Sequence, residues 1–111
     1  MSKTVSELVS ELGLEALALT EGERELKGGF TGDLLSYVMA HLRSDEAWIT
    51  IMTNVNVIAV ASLTDAACVI VADGAEVDTE VVQSAVQRGV NLLRSNASAF
   101  ELCKGLAQIG L

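Results

Sequence analysis

The stretch AWITIMTNVNVIAVASLTDAACVIVADG, running from Ala47 to Gly74, decides the fold. Its two ends, "AWITIM" and "ACVIVA", are short, β-branched and uncharged, the pattern of strands covered on both faces. The middle, "NVNVIAVASLTD", is apolar almost without a break, so periodicity alone fits either a strand or a buried helix. Two arguments select the helix. Parallel neighbours need a crossover, and Ala59, Ala61 and Ser62 are small enough to let a helix press closely onto a sheet.

The flanking sequence continues the alternation. Asp78 stands where it can cap a helix carrying Val81, Val82, Ala85 and Val86, with Gly89 as its stop. "VNLLR" supplies a further short strand, and Ser98 with Glu101 has capping-box spacing ahead of Phe100, Cys103, Leu106 and Ala107. On the other side, Leu34, Leu35, Val38 and Leu42 share a helical face from Asp33 onward, with His41 and Arg43 in the last turn. Near the start, Thr4 and Glu7 form a capping box for a helix bearing Val5, Leu8, Val9 and Leu12 and ending at Gly13. "LEALALTEGERELKGGF" reads as two short extended pieces around a turn at Gly22. Alternation from Gly32 onward implies an α/β fold: a three-layer α/β/α sandwich with a mostly parallel sheet, helices on both faces and right-handed crossovers.

Size and charge bound the role. A chain of 111 residues, half of them apolar, holds one core and is too short for two ordinary domains, so residues 1–111 are read as one domain. Fifteen acidic residues against seven Lys and Arg give a net charge of −8, which repels nucleic acid and anionic membrane surfaces. Four aromatic residues are too few to stack a single strand. No apolar run approaches the roughly 20 residues of a membrane span, and "MSKTVSELVSEL" carries glutamates where a signal peptide has its apolar core. A cytoplasmic location is expected. Cys68 and Cys103 sit among apolar neighbours and read as small hydrophobes, not as a disulfide or metal pair.

Three places invite a functional reading. "LKGGFTGDLLSYVM", from Leu26 to Met39, puts glycines ahead of a helix, as phosphate loops do, yet it lacks the Gly-Lys-Ser/Thr of a P-loop and any G-x-G-x-x-G. Asp33 would also place negative charge at the helix start. Gly28, Gly29, Thr31, Gly32 and Asp33 are therefore read as a structural loop, with Gly28 and Gly29 in conformations that other residues resist. The second place is "TNVN". Thr53, Asn54 and Asn56 lie just beyond a strand, where open parallel sheets bind small ligands, and the loops at Asp73-Gly74 and Ser95-Asn96 fall on the same edge. Thr53, Asn54, Asn56 and Asp73 are the candidate ligand residues, with Arg24, Lys27 or Arg94 as help for a phosphate; the plainer account has the first three capping the next helix. The third is catalysis, for which His41, the sole histidine, falls on a polar helix side and no G-x-S-x-G elbow exists. Glu21, Glu23 and Glu25 alternate and fit a solvated acidic edge better than a cation site. No catalytic, metal or cofactor set emerges.

"GGFTGDLLSYVMA", "WITIMTNVNVIAVASLTDAACVIVADG" and "SAFELCKGL" closely resemble, in that order and across nearly the whole chain, the DRTGG domain, a module similar to the N-terminal domain of HPr kinase/phosphorylase. The literal Asp-Arg-Thr-Gly-Gly run is absent: Glu23-Arg24 stands where Asp-Arg would, Gly28-Gly29 follows, and Asn54 occupies a position where many relatives carry histidine. The resemblance implies a three-layer fold and a helix for the ambiguous apolar run. It also implies a regulatory, dimerising part without catalytic machinery, of the kind found alone or fused to CBS-domain pairs, phosphate acetyltransferases and pyrophosphatases. The expected role is a noncatalytic module acting through a homodimer or a regulated protein partner, and the alternative is a sensor of a nucleotide or other small-molecule effector at the strand ends.

Overall fold

The computed structural model describes residues 3–111. In chain order the elements are β1 (Lys3–Thr4), α1 (Val5–Leu12), β2 (Glu15–Ala18), β3 (Glu25–Leu26), β4 (Gly28–Thr31), α2 (Leu35–His41), β5 (Glu46–Thr50), α3 (Val55–Thr64), β6 (Cys68–Val71), α4 (Thr79–Arg88), β7 (Leu92–Arg94) and α5 (Ala99–Gln108). The main sheet has the order β2-β7-β6-β5-β4, and β1 with β3 makes a small antiparallel ribbon. β4, β5, β6 and β7 are parallel neighbours, while β2 closes the far edge antiparallel to β7. The fold is thus an α/β/α sandwich with a mostly parallel sheet.

Strand periodicity sorts the core into two layers. Trp48, Val69, Val71 and Leu92 face one side and pack with Val38 of α2, Val57, Ile58 and Ala61 of α3, and Val81 and Ala85 of α4. Ala47, Ile49, Cys68, Ile70 and Leu93 face the other, against Val5 and Leu8 of α1 and Leu102 and Leu106 of α5. Helices cover both faces, as the sequence implies, but all three crossover helices share one face. That follows from the strand order: four strands laid down successively in one direction, by crossovers of one hand, put every connection on the same side. α1 and α5 fill the other side. The same order explains why α3 lacks an amphipathic stripe, since it packs against the sheet below and against both α2 and α4.

Cap chemistry follows the sequence at most ends. Thr4 and Glu7 form a full reciprocal box, with Glu7 N–H donating to Thr4 Oγ1 at 3.2 Å and Thr4 N–H to Glu7 Oε1 at 2.9 Å. Gly13 and Gly89 end α1 and α4 in the left-handed conformation. Ser98 accepts from Glu101 N–H, half of a box, and Asp78 holds the N-cap position of α4 without a side-chain hydrogen bond.

The glycine segment departs from expectation. Gly28–Thr31 is not a loop but the edge strand β4, in unbroken parallel register with residues 46–49. Gly28, Gly29 and Gly32 are not among the positive-φ glycines, so an unusual backbone conformation is not why they are there. Space is the reason at Gly29: a Cβ there would meet Leu106 Cδ1 at 2.9 Å, so glycine lets α5 lie close on the strand.

Candidate functional site

The carboxyl ends of β4, β5, β6 and β7 form one edge of the sheet, and the sequence-based candidates are distributed along it. Asn54 is the N-cap of α3; its Oδ1 accepts the N–H of Asn56 at 2.9 Å. That geometry is the capping account, with Asn56 supplying a backbone donor while its own side chain stays exposed. Thr53 is half-buried beside them. Asp73 is exposed at a left-handed φ of 60°, a conformation aspartate tolerates, and its N–H donates to Ala97 O at 2.8 Å. Gly74 N–H reaches Ser95 O at 2.8 Å, and Arg94 Nη2 donates to Gly74 O at 2.9 Å. The β6 and β7 loops are thereby tied to each other, and Asp73 belongs to that tie.

Asp33 has a different role from the one its position suggests. α2 begins two residues later, and its N-cap is Leu34, without a side-chain cap. The Asp33 carboxylate turns across to β5, where Oδ1 accepts from Thr50 Oγ1 at 2.7 Å and from Ile51 N–H at 2.9 Å. Thr50 Oγ1 in turn accepts Met52 N–H at 3.2 Å. Asp33 therefore latches the ends of β4 and β5 together. Beside it, Trp48 Nε1 donates to Gly32 O at 3.0 Å.

Thr53, Asn54, Asn56 and Asp73 line none of the three main concavities of the described residues. The strand order has no reversal point, so the crevice in which open parallel sheets hold ligands does not arise there. The concave places lie elsewhere. A groove of about 230 Å³ runs beside the edge strand, lined by Gly29, Phe30, Thr31, Ile49, Cys103, Leu106 and Leu111. Cys68, by contrast, is fully buried, and desolvation pushes its thiol up to about 12.

The opposite, amino-terminal edge carries a cluster that sequence reasoning did not assemble. Arg24 Nε donates to Asp45 Oδ1 at 3.0 Å, Arg24 Nη2 meets Asp65 Oδ1 at 2.8 Å, and Ser44 Oγ donates to Asp65 Oδ2 at 2.6 Å. Arg24 Nη2 also donates to the Asp65 carbonyl at 2.7 Å. This arginine is committed to binding three turns together and is not free for a phosphate. A shallow cleft of about 90 Å³ borders it, lined by Glu21, Ser62, Asp65 and Arg88 among others. Only the Glu23-Arg24 dipeptide marked this cluster in the sequence.

The Ser44 hydroxyl, and then the Arg24 guanidinium, hold the Asp65 carboxyl below the usual carboxylate range. A carboxyl depressed in the folded state adds stability at all pH values above its unfolded pKa, and that contribution is lost as pH falls through the folded value. Asp65→Asn is therefore expected to lower the urea midpoint at neutral pH and to flatten its decline below about pH 4. Asparagine also accepts the φ of 60° at this helix end, so the substitution removes the charge and one of the two acceptor oxygens without straining the backbone. Parallel pH profiles for the two proteins would contradict the assignment.

These elements define a class: a small sandwich wound in one direction, with strand ends latched by side chains and an apolar groove beside an open edge. The fold is similar to part of the structure of the CBS and DRTGG domains of the regulatory region of Clostridium perfringens pyrophosphatase, solved with its activator, diadenosine tetraphosphate. The TM-score is 0.78 at 13% sequence identity, over 95% of this chain and 46% of that one. This chain spans less than half the length of that region. No family model and no curated protein matches the sequence.

Proposed function

We propose that residues 1–111 constitute one regulatory domain of DRTGG type, noncatalytic, which acts by assembling with a copy of itself and with the protein it regulates. The observation that carries this reading is the flank around β4. Phe30 stacks on Tyr37 with ring centroids 6.2 Å apart, and Tyr37 on His41 at 4.0 Å. Tyr37 is 53% exposed, with Leu34 and Met39 of the same segment at 66% and 49%. Aromatic and apolar surface of that kind, flanking an open strand edge, fits contact with protein. The sole histidine is spent in this stack, and among the described residues no cluster of three His, Cys, Asp or Glu could hold a metal. Light scattering at micromolar concentration is expected to give twice the 11.7 kDa of one chain. A monomer at all concentrations, with no protein partner retained, would refute the proposal.

The complex of the similar regulatory region with a dinucleotide favours a second reading, a nucleotide sensor. Thr53, Asn54, Asn56 and Asp73 remain the proposed ligand residues, reached by rearrangement of the strand-end loops, with Arg94, whose Nη2 donates to Gly74 O, as the cation beside Asp73. A thermal-shift series with diadenosine tetraphosphate tests it: at 100 times the dissociation constant, a bound ligand adds about 2.7 kcal/mol. An unchanged melting curve leaves assembly as the function.

A further inference from the structure

The two edges of the main sheet are unlike. β2 is blunted: its register slips between Ala16 and Ala18, and Glu15 stands on it, paired with Arg94 at 3.4 Å. β4 has none of these protections. Its residues are Gly, Gly, Phe and Thr, uncharged and without a bulge, and Gly29 and Thr31 are exposed.

The hydrogen bonds around β5 settle which backbone groups of β4 are open. Glu46 O and Thr50 O accept from Ala67 and Ala72 on the β6 side, whereas Ile49 O accepts from Gly32 on the β4 side. Alternate residues of a strand serve opposite neighbours, so Phe30 turns its N–H and C=O inward with Gly32, and Gly29 and Thr31 turn theirs outward.

We infer that β4 pairs antiparallel with β4 of a second copy, centred on Phe30, to join two five-stranded sheets into one of ten. This rests on the assembly reading and names its face and register. In that register Gly29 of each copy opposes Thr31 of the other, the two residues whose backbone groups are open, so four hydrogen bonds form about the twofold axis. The Phe30 side chains meet at the axis on the α2 face, extending each Phe30–Tyr37 stack into a four-ring row. On the α5 face, each Thr31 side chain lies over the partner's Gly29, at the mouth of the groove lined by Cys103 and Leu106. The ends match in charge. Lys27, 73% exposed with Asp45 3.6 Å away, comes alongside the partner's Asp33, which is exposed and uses only Oδ1 in its latch among the described residues. Because β2 is blunted, pairing stops at two copies.

Phe30→Cys tests the register, since residues opposed without hydrogen bonds have Cα atoms about 4.5 Å apart, within disulfide range. In a Cys103→Ser background, mild oxidation is expected to convert Phe30→Cys to a covalent dimer while Val86→Cys, exposed on α4, stays monomeric. Thr31→Pro removes an outward N–H and leaves the β5 ladder intact, so the dissociation constant should rise about 30-fold with unchanged circular dichroism. A wild-type dimer in which Phe30→Cys fails to cross-link overturns this interface but spares self-assembly; a wild-type monomer removes both this interface and self-assembly. If Thr31→Pro fails to fold, the cross-link alone decides.

Discussion

Replacing Trp48 with alanine is expected to remove most of the stability of this protein. Trp48 lies at the middle of β5, has no exposed surface, and is the largest of the fully buried side chains. It packs in the layer formed with Val38, Val57, Val69 and Leu92, so the hole left by truncation lies among four elements that cannot all move inward. Such deletions cost about 3–5 kcal/mol. The Gly32 carbonyl also loses the indole N–H at 3.0 Å, worth about another 1 kcal/mol. Against a typical total of about 5–15 kcal/mol, the variant unfolds in low urea or fails to fold. Trp48→Phe keeps much of the volume and loses the hydrogen bond, so it should fall only about 1–2 kcal/mol short of wild type. Urea unfolding followed by circular dichroism checks both, because the variants lack the only tryptophan. Near-equal midpoints for alanine and phenylalanine would mean that the cavity is not what matters.

The second large effect is expected at Asn91. Only 2% of it is exposed, and it is one of two buried polar residues among those described. Its Nδ2 donates to Glu21 O and to Ala67 O, each at 2.9 Å, while Oδ1 accepts Glu21 N–H at 2.8 Å and the Thr20 hydroxyl at 3.3 Å. One side chain thus joins the turn after β2 to the entry of β6. Asn91→Ala leaves the Ala67 carbonyl buried without this donor and frees the turn, costing about 2–4 kcal/mol. Asn91→Asp should be at least as damaging near neutral pH, since a carboxylate there faces two carbonyls it cannot donate to, and partly recovered in acid where it carries a proton. Amide hydrogen exchange at Glu21 reports the loss directly. Protection unchanged in Asn91→Ala would show the turn to be held by something else.

What could be read from the sequence follows the reach of each interaction. Helix ends depend on residues three apart, so Thr4 with Glu7 and the stops at Gly13 and Gly89 were legible. The identity of α3 was legible from topology, because a crossover was required where periodicity was silent. β4 was not, because glycines carry no strand signal and the cause of Gly29 is Leu106, far along the chain. The capping role of Asn54 is local and could be read. Asp33, Arg24 and Asn91 act on partners 17 to 71 residues away, and no pattern within a window reaches them.

The pairing of β2 with β7 has a consequence for how the chain is made. Glu15 and Arg94 are 79 positions apart, yet they sit in adjacent strands. On a ribosome adding about 5–20 residues per second, the segment that becomes β2 waits roughly 4–16 s before its neighbour is even synthesised. Nothing shorter than the stretch through β7 can complete the sheet, so folding of this chain is a late, all-or-none event, and nascent fragments ending before Arg94 are expected to be substrates for chaperones.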